Sequence, residues 1–219
     1  MSYIFTGETT QWKGHTLFRI KRGAEIGGWI EKEDNLSKTG NCFVWDEAKV
    51  YGDAQVSENA QVCESAEISG DAKIFDRARI SGQAVISGQA EVFGEAKVFG
   101  QAKVLEHARV YDKTIVSGNT IISGHAQVHD QACVKGDAMI TGLANIYDQA
   151  TIEGHANVYG DAYVHGSANV GDNVTVCGSA DITGTTKLRG SDIISNNKKL
   201  DDLGDALKAL DNSHSSPTL

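Results

Sequence analysis

A β-branched residue recurs at every sixth position through most of this chain. From Val44 the series runs Val50, Val56, Val62, Ile68 and Ile74 and continues without a break to Ile182, Leu188 and Ile194, with Leu188 the one member that is not β-branched. Two residues before each member, from Val50 on, sits a small residue: Ala from Ala48 to Ala108, then Thr114 and Thr120, then Ala again from Ala126 to Ala168. Val174, Thr186 and Asp192 are late exceptions. Two residues after each member, the 24 positions from Gly52 to Gly190 are Gly in 16 cases and Asp or Glu in the other eight.

A repeat of this kind has one economical solution. In a triplet such as Ala-Gln-Val the small and the branched residue point to the same side of a strand, and the Gly or Asp that follows lets the chain turn. Strands this short need neighbours. Three hexads close a triangular coil of 18 residues, and successive coils stack about 4.8 Å apart through parallel backbone hydrogen bonds. The inward Ala or Thr leaves room for the branched residue, which explains how 40 % hydrophobic content coexists with only 7 % aromatics and a single proline, Pro217. The expected fold is all-β: a parallel β-helix of about eight three-sided coils over 42–194, about 40 Å long by the strand spacing.

The ends differ. Residues 1–41, with YIFTG, HTLFRIKR and GGWI separated by turn signals, predict a small β cap over the exposed end of the solenoid. Trp12, Trp29 and Trp45 all fall near it, as core plugs or as a ligand-stacking site. After Ile194 the leucines Leu200, Leu203, Leu207 and Leu210 take helical spacing, which predicts a short helix over 195–210 that caps the last coil or meets its copies in a trimer. Residues 211–219 read as a disordered tail.

The hexads resemble the repeat of left-handed parallel β-helices, the family that includes many trimeric acyltransferases using acyl-coenzyme A. Left-handedness is implied by that resemblance, since the general crossover rule favours the other hand. A narrower likeness lies in GGWIEKEDNLSKTGNCFVW, from Gly27 to Trp45, which is similar to the leading segment of YdcK-type proteins of bacteria and their phages, proteins grouped with acetyltransferases by their fold. The first resemblance implies a homotrimer, and both imply acetyl-coenzyme A as the cofactor of any enzymatic activity. A general base would then sit in a groove between subunits, where His is suited to accept a proton near neutral pH. His125, His155 and His107 are the candidates. Against an enzyme, no hexad is interrupted from Ala48 to Ile194, so a substrate-covering loop is missing there. Gly also falls two residues after the branched position, where acyltransferase hexads often place it one residue after.

Because three hexads make a coil, residues 18 apart stack, and the outer surface can be read in ladders. One contains Lys49, Glu67, Val85, Lys103, Ile121, Met139 and Asn157; a second Gln61, Arg79, Lys97, Ile115, Cys133, Thr151 and Asn169; a polar third runs from Gln55 to Asp181. Val85, Ile115, Ile121, Cys133 and Met139 form an apolar patch about the corner between the first two, the expected trimer contact. On another corner Phe75, Phe93, Tyr111, His129, Tyr147 and His165 align as a ring ladder, either a structural stack or a ladder for a sugar or base.

The net charge of −9 and the absence of a basic stripe argue against nucleic-acid partners. Between Thr114 and Thr186 seven acidic residues face Lys135 alone, a balance that keeps a solenoid soluble or draws cations or a basic partner. The N-terminus has no charged start followed by an apolar run, and no 18-residue apolar stretch occurs, so a membrane partner is not expected and the chain reads as cytoplasmic. Four cysteines without a C-x-x-C pair read as free thiols, with no metal site. The sequence therefore supports a trimeric binding scaffold for a macromolecule or small molecule, with an acyl-coenzyme A-dependent acetyltransferase as the alternative.

Overall fold

Each hexad folds as a two-residue strand followed by a corner. The structure, a computed structural model, describes residues 3–195 and 198–201. It is an all-β parallel solenoid of the left-handed β-helix class with about nine turns. Strand Lys49–Val50 pairs in register with Glu67–Ile68, Gln55–Val56 with Lys73–Ile74, and Gln61–Val62 with Arg79–Ile80, so each residue lies over the one 18 further on. Backbone bonds alternate around the small and branched residues: the Lys49 amide donates to the Ala66 carbonyl at 2.9 Å and the Tyr51 amide to the Ile68 carbonyl at 3.0 Å. Ala48, Val50, Ala54 and Val56 and their successors are buried and form one continuous core along the axis.

The three ladders become three flat faces. Numbered in chain order, the first face carries Lys49, Glu67 and their stack, the second is the polar ladder with Gln55 and Lys73, and the third is the ladder with Gln61 and Arg79. We call the corner between the first and second faces the first corner, that between the second and third the second corner, and that between the third and first the third corner. Every acidic corner residue adopts the left-handed conformation otherwise taken by Gly: Asp112, Asp130 and Asp148 have φ of 57, 58 and 57°. Asp pays less than most side chains for this backbone, which is why it shares the position with Gly.

The solenoid begins earlier than the hexad count predicts. Ile30 pairs with Val50, Leu36 bridges to Val56, and Val44 pairs with Val62, so a first coil lies partly inside the segment assigned above to the cap. Its steps are six residues and then eight, and the two extra residues hide the coil from a strict period. Buried Asn35 organises this coil: its side-chain nitrogen donates to the Gly52 and Ala54 carbonyls at 3.0 and 2.9 Å, while its oxygen accepts from the Lys32 amide at 2.9 Å and the Glu31 amide at 3.1 Å.

Below this coil, β1 (Ile4–Trp12), β2 (His15–Arg22) and β3 (Glu25–Ile30) form an antiparallel meander whose last strand joins the first face. Leu17, Ile20, Ile30 and Phe43 are fully buried at this end. Trp12, Trp29 and Trp45 are half-buried; Trp45 packs against the core, its ring edge-on to buried Phe43 at 4.6 Å, whereas the Arg19 guanidinium lies 4.8 Å from the Trp29 ring centroid. Trp29 occupies an outward position opposite Lys49, so its ring lies on the face and not in the interior.

At the far end the helix expected from 195 gives way to another rung. Lys199–Leu200 is a strand paired with Asp181–Ile182, and Leu200 is 2 % exposed. Leu200 lies six residues after Ile194, so solenoid register outweighs the leucine spacing. The helical expectation at Leu203, Leu207 and Leu210 and the tail over 211–219 lie outside the described residues. Among those described, helical structure is limited to the 3-10 turn Glu33–Asn35, and no helix is long and apolar enough to cross a membrane.

Candidate functional site

The second corner carries the most regular side-chain array. Phe75, Phe93, Tyr111, His129, Tyr147 and His165 stack face to face with centroids 4.6–5.3 Å apart and no more than 5° between neighbouring planes. The coil spacing imposes this distance, because a ring at the same corner position on consecutive coils has nowhere else to pack. Their polar atoms are tied to the second face: the Tyr111 hydroxyl donates to Gln127 at 3.2 Å, His129 Nε2 lies 3.0 Å from Asn145 Oδ1, and His165 Nε2 donates to Asp181 at 2.9 Å. Stacking occupies both faces of every internal ring, so a sugar or base finds a free face only at the two ends of the array.

Beside the rings runs a row of carboxylates. Asp76 accepts the Gly94 amide at 3.0 Å and Asp148 the Gly166 amide at 3.0 Å; each acid binds the turn of the next coil. Asp112, His129 and Asp130 bring one ligand atom each to within 4.8 Å of one another, the one such trio found among the described residues. Two of these acids already accept the amides of Asp130 and Asp148, so their first role is to hold the corner.

The catalytic candidates fall on two corners. His107 and His125 stack on the first, 4.6 Å apart and 4° from parallel, and line a groove of about 410 Å³ with Asp71, Gln89 and Glu106. His155 lies on the third corner, with its ring 67 % exposed and Nδ1 3.6 Å from Asp137. The first face separates His155 from His125, so one chain does not bring the two together.

Around the third corner, the apolar residues stand where the ladders place them. Ile115 pairs with Cys133 on the third face and Ile121 with Met139 on the first. Ile115 and Met139 are each 39 % exposed; Val85, Ile121 and Cys133 are half-buried. Phe99, at the same corner lower down, is also exposed. Burial pushes the Cys133 thiol up, which keeps it neutral and apolar in character. Above the patch, Glu153 accepts from Lys135 at 3.0 Å and Arg189 at 2.7 Å, and the bond from Lys135 holds its carboxyl below the usual range.

Sequence reasoning missed a polar cluster under the β1–β2 turn. Glu67, 8 % exposed, accepts from Lys13 at 2.5 Å and from the Tyr51 hydroxyl. Nearby, His15 meets Glu31 at 2.9 Å and its ring lies 4.8 Å from that of Tyr51. These contacts clamp the hairpin against the first face. Glu67 carried no signal of its own, because its ladder already gives it Lys49 as a basic neighbour on the adjoining coil.

No protein-family model matches the sequence, and no curated protein matches it.

Proposed function

We propose that this solenoid is a homotrimeric binding scaffold whose subunits meet around the third corner. The observation that supports this is the exposure of Ile115 and Met139 beside Ile121 and Cys133, which groups apolar side chains on the two faces that adjoin one corner. A three-fold arrangement suits a triangular solenoid, because one corner per subunit can be directed at a common axis. Its four free thiols fit a reducing, cytoplasmic setting. Light scattering tests the assembly: the wild type gives three times the chain mass, and Ile121→Asp with Met139→Asp gives a monomer. An unchanged mass in the double variant moves the interface elsewhere.

The second reading is an acetyltransferase of the YdcK type, favoured by the groove beside stacked His107 and His125. In that reading His125, His155 or His107 takes the proton from the acceptor as acetyl passes from coenzyme A. Calorimetry with acetyl-coenzyme A separates the two: a scaffold gives no heat of binding at millimolar ligand, whereas an enzyme binds and loses turnover on His125→Ala.

A further inference from the structure

Where two charged residues meet from coil to coil on the three faces, they are opposite in sign, with one exception among the described residues. Lys49 stands against Glu67, Lys73 against Glu91, Glu91 against Arg109 and Asp181 against Lys199. On the third face Arg79 pairs in register with Lys97, which sets two cations on strands about 4.8 Å apart. Gln61 below and Ile115 above bring no acid to them, and neither side chain has an ion pair or a hydrogen bond among the described residues. A rung of like charges weakens the pairing of its strands. In a chain with a net charge of −9, such a rung points to a counter-charge from outside.

The two cations share a small pocket with an exposed ring. Cys63, Glu64, Arg79, Ser81, Lys97 and Phe99 line a cavity of about 230 Å³ where the third face meets the third corner. Lys97 and Phe99 flank buried Val98 and so both project outward. Phe99 is 40 % exposed, because the register puts Ser81 below it and Ser117 above it and no ring stacks on it. Burial pushes the Cys63 thiol up, which keeps it neutral. Glu64 is the one acid in the wall, and it accepts the Gly82 amide at 2.8 Å. Two cations against one carboxylate leave the wall positive.

We propose that this pocket binds the phosphate of a small phosphomonoester, with Phe99 against the organic group. The Arg79 guanidinium offers a fork of parallel donors, Lys97 a compact charge and Ser81 a hydroxyl. A phosphate has three terminal oxygens for these three side chains, where a carboxylate has two. The volume lies below that of drug-sized sites, so it suits a small head group with its ester partly outside. All the wall residues come from one chain, and the site needs neither the trimer nor acyl transfer.

Calorimetric titration at low ionic strength with inorganic phosphate, phenyl phosphate and benzoate, each at millimolar concentration, tests the site. Phenyl phosphate is expected to bind about fivefold more tightly than inorganic phosphate, and Phe99→Ala to remove that preference. Arg79→Gln and Lys97→Gln each weaken binding about tenfold, the equivalent of about 1.4 kcal/mol. Both variants relieve the repulsion in the rung and melt no lower than wild type, so their lost affinity reports on the pocket and not on the fold. Lys187→Gln, higher on the same face, leaves affinity unchanged. Absence of heat from phenyl phosphate overturns the proposal, as does affinity that survives in both rung variants or falls equally in Lys187→Gln. Benzoate binding as tightly as phenyl phosphate overturns the assignment to a phosphate.

Discussion

Asp148 and Gly166 are 18 residues apart and joined directly, the glycine amide donating to the Asp148 carboxylate at 3.0 Å. The acid does two jobs at once, accepting the left-handed backbone and binding the next coil. Asp148→Gly keeps the first and loses the second, at a cost of about 1 kcal/mol or less for a half-exposed bond. Asp148→Ala loses the bond and adds about 1–2 kcal/mol of left-handed strain. Guanidinium midpoints rank the three proteins wild type, Gly, Ala; an Ala variant as stable as the Gly variant removes backbone strain from the account.

Two glycines separate strain from crowding. A Cβ on Gly118 would lie 2.4 Å from the Gly136 carbonyl oxygen, whereas one on Gly190 meets nothing within 4 Å among the described residues, and both residues have positive φ, 80 and 88°. Gly190→Ala therefore carries only the left-handed penalty of about 1–2 kcal/mol. Gly118→Ala also pushes two coils apart and is the more damaging by at least about 1 kcal/mol. Equal melting temperatures for the pair contradict the close approach at the third corner.

Inside the solenoid, two threonines make opposite predictions. The Thr114 hydroxyl donates to the Tyr111 carbonyl at 2.7 Å, but that of Thr120, fully buried, has no hydrogen-bond partner among the described residues. Thr120→Val replaces a stranded hydroxyl by a methyl of similar size and stabilises by about 1 kcal/mol. Thr114→Val removes a made bond and destabilises by a similar amount. Denaturation curves of the two variants shift in opposite directions, and a common sign defeats the assignment.

Glu67 makes stability depend on acid. Burial alone raises its carboxyl, but the bonds from Lys13 and Tyr51 outweigh this and hold it below the usual range. The folded state thus prefers the ionised form more than the unfolded state does. This contribution is complete above the unfolded value, about 4.3, and disappears as pH falls through the lower folded value. Glu67→Gln is less stable than wild type at neutral pH, and the gap narrows below about pH 4. A gap that stays constant down to pH 3 excludes ionised Glu67 as the clamp.

Period and turn chemistry made most of the solenoid legible, because each hexad states its own interior, outer face and corner. The stack from Phe75 to His165 follows from a strict 18-residue register, which decides which side chains are neighbours. Ile30 and Leu36 escaped because an eight-residue step follows them, and a period search loses phase across two extra residues. Leu200 belongs to two patterns, six residues after Ile194 and at the head of a helical leucine spacing, and the solenoid register decides its place. The hairpin contacts of Lys13 and His15 with Glu67 and Glu31 span 54 and 16 residues and follow no repeat, so only the folded chain brings them together.

The register also fixes how such a chain can lengthen or shorten. Removing 18 residues takes out one whole coil and returns each later side chain to its own face, so the ring array loses a member but stays straight. A cut of six residues preserves the buried pattern of small and branched residues equally well, yet rotates everything after it by one face. The rings above the cut would then continue on a different edge of the prism from those below. Core fitness and surface continuity thus answer to different units of length, six for the interior and eighteen for anything that must line up on the outside.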